Sequence, residues 1–282
     1  KNAAFDLHGL RDKVNLVQGD LVDLPVLQRA LSQYEVESVF HIAAQALVGI
    51  ANESPLSTFE SNIKGTWNLL EASRKSKSVK GIVVASSDKA YGVQEKLPYT
   101  EDMPLLGLYP YDASKACTDI LARSYFATYG MPIAVTRNAN TYGGADMNFS
   151  RIVPQAIKSI YDGESFLIRS DGKLQRDYMY VKDAVSGYLM LAENISKVKG
   201  EAFNFGTETP IKVIDLFKKI AKVYGKPNAD VKILNEAKNE IPKQYLSSAK
   251  ARKVLSWKPK YSLDDGLKET IDWYKGFFGK KQ

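Results

Sequence analysis

The hydrophobic pattern changes character near residue 145. Before it, short continuous runs of aliphatic and β-branched residues alternate with amphipathic stretches: VNLVQGD (14–20), VLQRALSQY (26–34), SVFHIAA (38–44), TFESNIKGTWNLLEASRK (58–75), GIVVASS (81–87), a helical stretch from Tyr111 through Tyr129, and PIAVTRNAN (132–140). An apolar run without polar alternation marks a strand covered on both faces, and each is followed by a stretch with one apolar side. Together they predict a parallel sheet with helices on both faces. After residue 145 helical stretches dominate, FSRIVPQAIKSIYDGE, YVKDAVSGYLMLAENI and IDLFKKIAKVYG, separated by loops rich in Gly, Asp and Pro and by short strands such as AFNFG. The expected fold is α/β: a doubly wound parallel sheet in residues 1–145, with a smaller mixed substrate-binding part in 146–282 laid over the carboxyl ends of its strands. A strand near 202–206 is expected to return to the main sheet.

Composition narrows this frame. A chain of 282 residues with 44% hydrophobic content can bury a large core. No window approaches the roughly 20 consecutive apolar residues of a membrane helix, and KNAAFDLHGL lacks the charged-then-apolar order of a secretory signal, so a cytoplasmic protein without membrane contact is expected. Cys117 is the single cysteine, which excludes an internal disulfide; it reads as a helix-packing residue. With only His8 and His41 beside it no metal-ligand spacing occurs, and no metal is expected. The net charge of +7 comes from Lys and Arg spread among acidic residues, and the denser SRKSKSVK (73–80) and terminal GKKQ read as a solvated helix end and a tail. Nucleic acid is therefore not an expected partner; positive charge equally suits a phosphorylated small molecule.

Two clusters carry candidate chemistry. The stretch SSDKAYG (86–92) directly follows the apolar GIVVA, so that Ser87, Asp88 and Lys89 stand in a row where a solvated turn is the simplest explanation. In YPYDASKACTDILARSYFATYG, Tyr111 and Lys115 are four residues apart and share a helix face. An ammonium held near a phenol lowers its pKa from about 10 towards neutrality and makes the phenolate a usable base. Y-x-x-x-K alone also occurs by chance on exposed faces. Here, however, it follows the SSD strand end at the spacing where a strand tip and the next helix meet around a nicotinamide. A dinucleotide fold normally opens with a strand, a glycine-rich turn and a helix. No such loop occurs near Lys1, so the sequence is expected to start after those elements.

The order of VNLVQGDL, FHIAAQALV, SPLSTFESNIKGTWNLLEA, VVASSDKAYG, PYDASK, TRNANTYGGADMN, RSDGKLQRDYMYVKDAVSGY, AFNFGT and SSAKARKVLSWKPKYSLDDGLKETIDWY resembles the extended short-chain dehydrogenase/reductases of the nucleotide-sugar epimerase/dehydratase family, above all the 4,6-dehydratases that act on CDP-glucose. The resemblance implies a Rossmann-like sheet whose first strands and glycine loop this sequence lacks. The 282-residue chain alone is accordingly expected to bind NAD poorly.

Residue by residue, the resemblance implies that Asp20 and Leu21 contact adenine, although Asp20 could serve only as a helix cap. The segment from His41 through Ala43, Ala44 and Gln45 would line the dinucleotide, and Asn62 would tie it to the active-site strand or act as a purely structural amide. Tyr111 and Lys115 would meet the nicotinamide end of NAD. Asn140, Arg176 and Arg151 would hold the substrate pyrophosphate, Arg176 having an internal pair with Asp177 as its plainer role. In the implied chemistry Tyr111 takes the C4 hydroxyl proton, Ser87 bonds that oxygen, and Asp88 protonates the departing C6 hydroxyl. Lys89 stands where many dehydratases carry Glu. It would either remove the C5 proton as a neutral amine or stay charged and steady the enolate or orient Asp88. An NAD-dependent 4-epimerase using the same Ser-Tyr-Lys set and a non-catalytic dinucleotide sensor are the alternatives. A homodimer binding a nucleotide sugar is expected.

Overall fold

The computed structural model describes residues 4–236 and 241–279; the end of the basic GKKQ tail lies outside them. Four parallel strands form the central sheet, in the spatial order Ser38–His41, Gly81–Ser87, Ile133–Asn138 and Ala202–Phe205. Successive side chains in a strand point to opposite faces, and both faces are covered along Gly81–Ser87, Ile133–Asn138 and Ala202–Phe205, whereas Ser38 and Phe40 of the outer strand are exposed. Ile82, Val84, Ile133 and Val135 pack with Leu70 and Ala122, carried by the helices Gly65–Lys75 and Pro110–Tyr129. Val83, Ala134 and Phe203 pack on the other side with Leu191, Leu255 and Trp257. The fourth strand comes from the carboxyl half of the sequence, so this second core is built by both halves.

A further core holds the rest of the carboxyl half together. Val153, Ile157, Phe217, Ile220, Ile271 and Tyr274 join the helices Ile152–Asp162, Val213–Tyr224 and Leu263–Gly279. Above the sheet, a small three-stranded sheet sets Gln175–Arg176 between Lys243–Gln244 and Ile211–Lys212.

Two local expectations are corrected. VNLVQGD, expected as a strand, is an unpaired segment that leaves Val14, Leu16 and Val17 exposed. A strand exists only in a ladder that satisfies its amides and carbonyls. Among the described residues no strand pairs with this segment or with the outer edge of Ser38–His41. The stretch 58–75, expected as one helix, is interrupted: Pro55–Phe59 passes through a π-helical turn, Glu60–Lys64, into Gly65–Lys75. Thr66 Oγ1 and Thr118 Oγ1 both donate to the Asn62 carbonyl, at 2.5 and 3.1 Å, and compete with the regular helix ladder for that oxygen. Among the described residues no helix is long and apolar enough to cross a membrane.

Candidate active site

The site is built where the parallel strands end. Ser87 closes its strand and the chain turns at once through the 3₁₀ turn Asp88–Tyr91, with Ser87 Oγ accepting from the Lys89 amide at 3.2 Å. Gly92 then has φ 63°, and a Cβ there would meet the Leu106 carbonyl oxygen at 2.2 Å, so a side chain has neither the backbone freedom nor the room. Underneath, the fully buried Tyr91 hydroxyl donates to Asn204 Oδ1 at 2.8 Å and accepts from Arg137 Nη1 at 2.7 Å. Arg137 is in turn paired with the buried Asp119 at 2.8 Å. SSDKAYG is thus fastened to the core and is not a solvated turn.

Asp88 is 2% exposed. Its Oδ1 accepts from Ser87 Oγ at 3.0 Å, while its Oδ2 is buried without a hydrogen-bond donor among the described residues. Lys89 Nζ stands 3.8 Å from that oxygen and donates to Oε1 of Gln244. The amide of Gln244 donates from Nε2 to the Asp88 carbonyl at 3.1 Å.

Tyr111 enters from the first turn of Pro110–Tyr129, a helix that starts with proline, whose fixed φ suits that position. Burial pushes its phenol up to about 12. A hydrogen bond with Ser87 acts in the opposite direction, Asp88 adds to the rise, and Arg151 from the carboxyl half opposes it. The expected lowering by Lys115 is corrected here. Lys115 Nζ donates to the Ala85 carbonyl at 2.8 Å, and burial draws its own ammonium down to about 8. Its charge is engaged with the strand backbone, and burial of the phenol outweighs the groups that favour phenolate. His41 lies close to Lys115, and since the Thr66 hydroxyl gives its one proton to the Asn62 carbonyl, His41 Nε2 donates to Thr66 Oγ1 at 2.8 Å; burial, then the Lys115 charge, brings its imidazole down to about 4.

On the opposite side of these strand ends, buried Asn62 clamps the loop after Ser38–His41. Its Oδ1 accepts from the Gln45 amide at 2.7 Å, and its Nδ2 donates to the Gln45 carbonyl at 3.0 Å and to Ser114 Oγ at 2.9 Å. The small Ala43 and Ala44 stand in that loop, Ala43 exposed and Ala44 partly so. Asp20 does not cap a helix. It accepts from the Val22 amide at 3.0 Å, and Asp23 caps Leu24–Gln33. Asn68 anchors this turn through the Leu21 and Val22 carbonyls at 3.1 and 3.0 Å, and Leu21 packs so closely on Gly65 that a Cβ there would lie 2.9 Å from it. Asn62→Ala removes the clamp and leaves the Gln45 amide and carbonyl without it. The expected loss is about 2 kcal/mol, read as a lower urea midpoint with an unchanged slope.

The remaining candidates come from the carboxyl half. Asn140 starts a short strand, Asn140–Tyr142, and donates from both its amide and Nδ2 to the Asp177 carbonyl, each at 3.2 Å. Arg176 is nearly buried, and its Nη1 donates to the Gln175 carbonyl at 2.9 Å. The Asp177 carboxylate accepts from the amides of Thr207 and Glu208 at 2.8 and 3.1 Å, fastening the end of Ala202–Phe205. Arg151 occupies the N-cap position of Ile152–Asp162 without a side-chain cap bond and pairs with Asp146 at 3.0 Å. Gln244 and Asn68 escaped the reading of the sequence. Gln244 is a single amide in a stretch without motif, Asn68 lies within SPLSTFESNIKGTWNLLEA but at a position with no spacing signal of its own, and only the fold brings each to its partners. Among the described residues no group of three or more His, Cys, Asp or Glu could hold a metal.

The family model described as GDP-mannose 4,6 dehydratase matches residues 3–270. CDP-glucose 4,6-dehydratase of Salmonella typhimurium is 28% identical, over 97% of this chain and 80% of that protein. UDP-glucuronate 4-epimerase of Thermodesulfobacterium geofontis is 33% identical, over 92% of this chain and 78% of that protein. The crystal structure of dTDP-glucose 4,6-dehydratase from Streptomyces venezuelae, with NAD bound, superposes with a TM-score of 0.86 at 28% identity, covering 94% of this chain and 80% of that one. The Ser87, Tyr111 and Lys115 constellation therefore stands in a chain that belongs to the GDP-mannose 4,6 dehydratase family, among the nucleotide-sugar dehydratases and epimerases of the extended short-chain dehydrogenase/reductases.

Proposed function

We propose that the protein is a nucleotide-sugar 4,6-dehydratase, which oxidises C4 of a nucleotide hexose, eliminates water across C5–C6 and restores hydrogen at C6 to give a 4-keto-6-deoxy sugar. The observation that supports this reading is Asp88 Oδ2, a buried carboxylate oxygen at the strand tip with no donor among the described residues and Lys89 Nζ at 3.8 Å. A buried acceptor without a partner is costly. The C6 hydroxyl of a substrate would complete it, whereas a 4-epimerase has no leaving group there.

NAD is the cofactor of the family, and when bound it accepts the C4 hydrogen and gives it back at C6. The residues present fit it: the loop with Ala43 and Ala44 offers small side chains, and Asn62 holds its backbone in place. Asp20 and Leu21 would meet the adenine, Gln45 the middle of the dinucleotide, and Tyr111 and Lys115 the nicotinamide end.

The proton work belongs to the chain itself. Tyr111 takes the C4 hydroxyl proton while Ser87 Oγ holds that oxygen, and the resulting ketone makes the C5 hydrogen acidic. Asp88 serves as the acid and Lys89 as the base. With the amine neutral and the carboxyl protonated, Lys89 removes the C5 proton as Asp88 protonates the C6 oxygen, the C6–O bond breaks, C5=C6 forms and water leaves. As hydrogen is restored at C6, the Lys89 ammonium returns its proton to C5, and the proton that Tyr111 took passes through solvent to the Asp88 carboxylate.

Asn140, Arg151 and Arg176 hold the pyrophosphate. Arg176→Lys keeps a charge but loses the planar fork, so KM for the nucleotide sugar is expected to rise about tenfold with kcat within about twofold. Initial-rate kinetics check this. The working form is a cytoplasmic homodimer, for which Trp67 and Ile120, 42% and 52% exposed on neighbouring helices, offer an apolar face; sedimentation measures its mass. A 4-epimerase is the second reading, favoured by the 33% identity to the UDP-glucuronate enzyme. Incubation with CDP-, dTDP-, UDP- and GDP-hexoses decides: a 4-keto-6-deoxy product supports the dehydratase, and a C4-inverted hexose replaces that reading with the epimerase.

A further inference from the structure

We infer that Gln244 is a positioning residue for the elimination step, holding the acid Asp88 and the base Lys89 in a fixed mutual relation. The inference rests on the dehydratase reading. Gln244 is fully buried, in the short strand Lys243–Gln244, and comes from a position 155 residues beyond Lys89. Its one planar amide makes two contacts of opposite sense with consecutive residues: Oε1 accepts from Lys89 Nζ, and Nε2 donates to the Asp88 carbonyl at 3.1 Å. A primary amide can do both because it carries an acceptor and two donors in a fixed plane. The donor end holds the backbone that carries the acid, and that fixes where the acceptor end holds the amine.

Lys89 needs such a restraint. Its stem has four rotatable carbons and its side chain is still 20% exposed, and the contact with Gln244 Oε1 narrows the positions the amine can take. The backbone of Gln244 is itself restrained, since Lys243–Gln244 pairs in parallel with Gln175–Arg176, with Gln244 in register with Arg176. The strand that carries the candidate pyrophosphate arginine therefore also supports the acid–base pair.

Two variants test the assignment on the purified protein with NAD supplied. Gln244→Met fills nearly the same volume without an amide, and Gln244→Glu keeps an acceptor for Lys89 but replaces the donor to the Asp88 carbonyl. Gln244→Met is expected to lower kcat about tenfold, since a slightly misplaced group forfeits up to about a hundredfold, with KM within about twofold and an unchanged circular dichroism spectrum. Rapid mixing should show reduced nicotinamide accumulating, because Tyr111 and Ser87 still oxidise C4 while water loss lags. In Gln244→Glu the added carboxylate favours the charged form of Lys89 over the neutral amine, so kcat is expected to fall as well, again with reduced nicotinamide accumulating. Wild-type turnover in Gln244→Met would overturn the assignment. So would joint loss of nucleotide-sugar binding and turnover without accumulated reduced cofactor, or failure of both variants to fold, each of which makes the amide purely structural. If the wild type itself yields no 4-keto-6-deoxy product from any nucleotide hexose, the dehydratase reading falls and the inference with it; that control is read before either variant.

Discussion

Tyr111→Phe is expected to leave a folded protein that binds the nucleotide sugar normally and turns it over about a hundred to ten thousand times more slowly, the range of general-base contributions. Phe keeps the ring that fills the start of Pro110–Tyr129 and removes only the hydroxyl that bonds with Ser87 and would take the C4 proton. The pH profile separates this role from a packing role. Burial pushes the Tyr111 phenol up to about 12, so near neutrality the phenolate is a small fraction that grows about tenfold with each pH unit. The rate of C4 oxidation in the wild type should therefore climb between about pH 6 and 9, and the residual rate of Tyr111→Phe should not. Titration with nucleotide sugar, followed by single-turnover kinetics across that range, measures both quantities. Near-normal turnover in the variant would remove Tyr111 from the mechanism.

The parts of the fold visible in the sequence were those in which one local cause decided the outcome. GIVVASS is buried on both faces and flanked on both edges, so every residue of the run had to be apolar up to the polar tip. The helix Pro110–Tyr129 opens with its own proline and stops at Gly130, which takes the left-handed conformation at φ 67°. VNLVQGD misled because an apolar run reports strand propensity but not whether a neighbour is there to pair with it. The π-helical turn around Asn62 was hidden for a similar reason: it depends on Thr118, which reaches the Asn62 carbonyl from another helix.

The candidate site divides along the same line. Ser87, Asp88 and Lys89 are adjacent in sequence, and Tyr111 and Lys115 share a helix, so local spacing exposed both groups. The electrical state of Tyr111 was not visible, since it depends on how deeply the phenol is buried and on the Ala85 carbonyl that engages Lys115. Gln244 was beyond reach for the same reason, as only the return of the chain through Lys243–Gln244 brings its amide to the strand tip.

Asp88→Asn is expected to separate oxidation from elimination. Asn preserves the size of the side chain and an oxygen that can accept from Ser87 Oγ, now 3.0 Å from Asp88 Oδ1, but it has no carboxyl proton to give. Without the carboxyl proton the C6 oxygen leaves poorly, while the Gln244 oxygen still holds Lys89 Nζ. Tyr111 and Ser87 remain in place, so the C4 step survives. Mixed with its nucleotide sugar, Asp88→Asn should therefore accumulate reduced nicotinamide, seen by its absorbance, while 4-keto-6-deoxy product forms about a thousandfold more slowly than in the wild type. The wild type should show little accumulation, because elimination follows oxidation promptly. An epimerase responds differently: with no leaving group at C6, losing the carboxyl slows oxidation and return to similar extents and traps nothing. Unchanged turnover without trapped reduced cofactor would take the acid role from Asp88 and favour the epimerase. Accumulation of reduced cofactor with product loss would fix the carboxylate at the end of Gly81–Ser87 as the group that releases water.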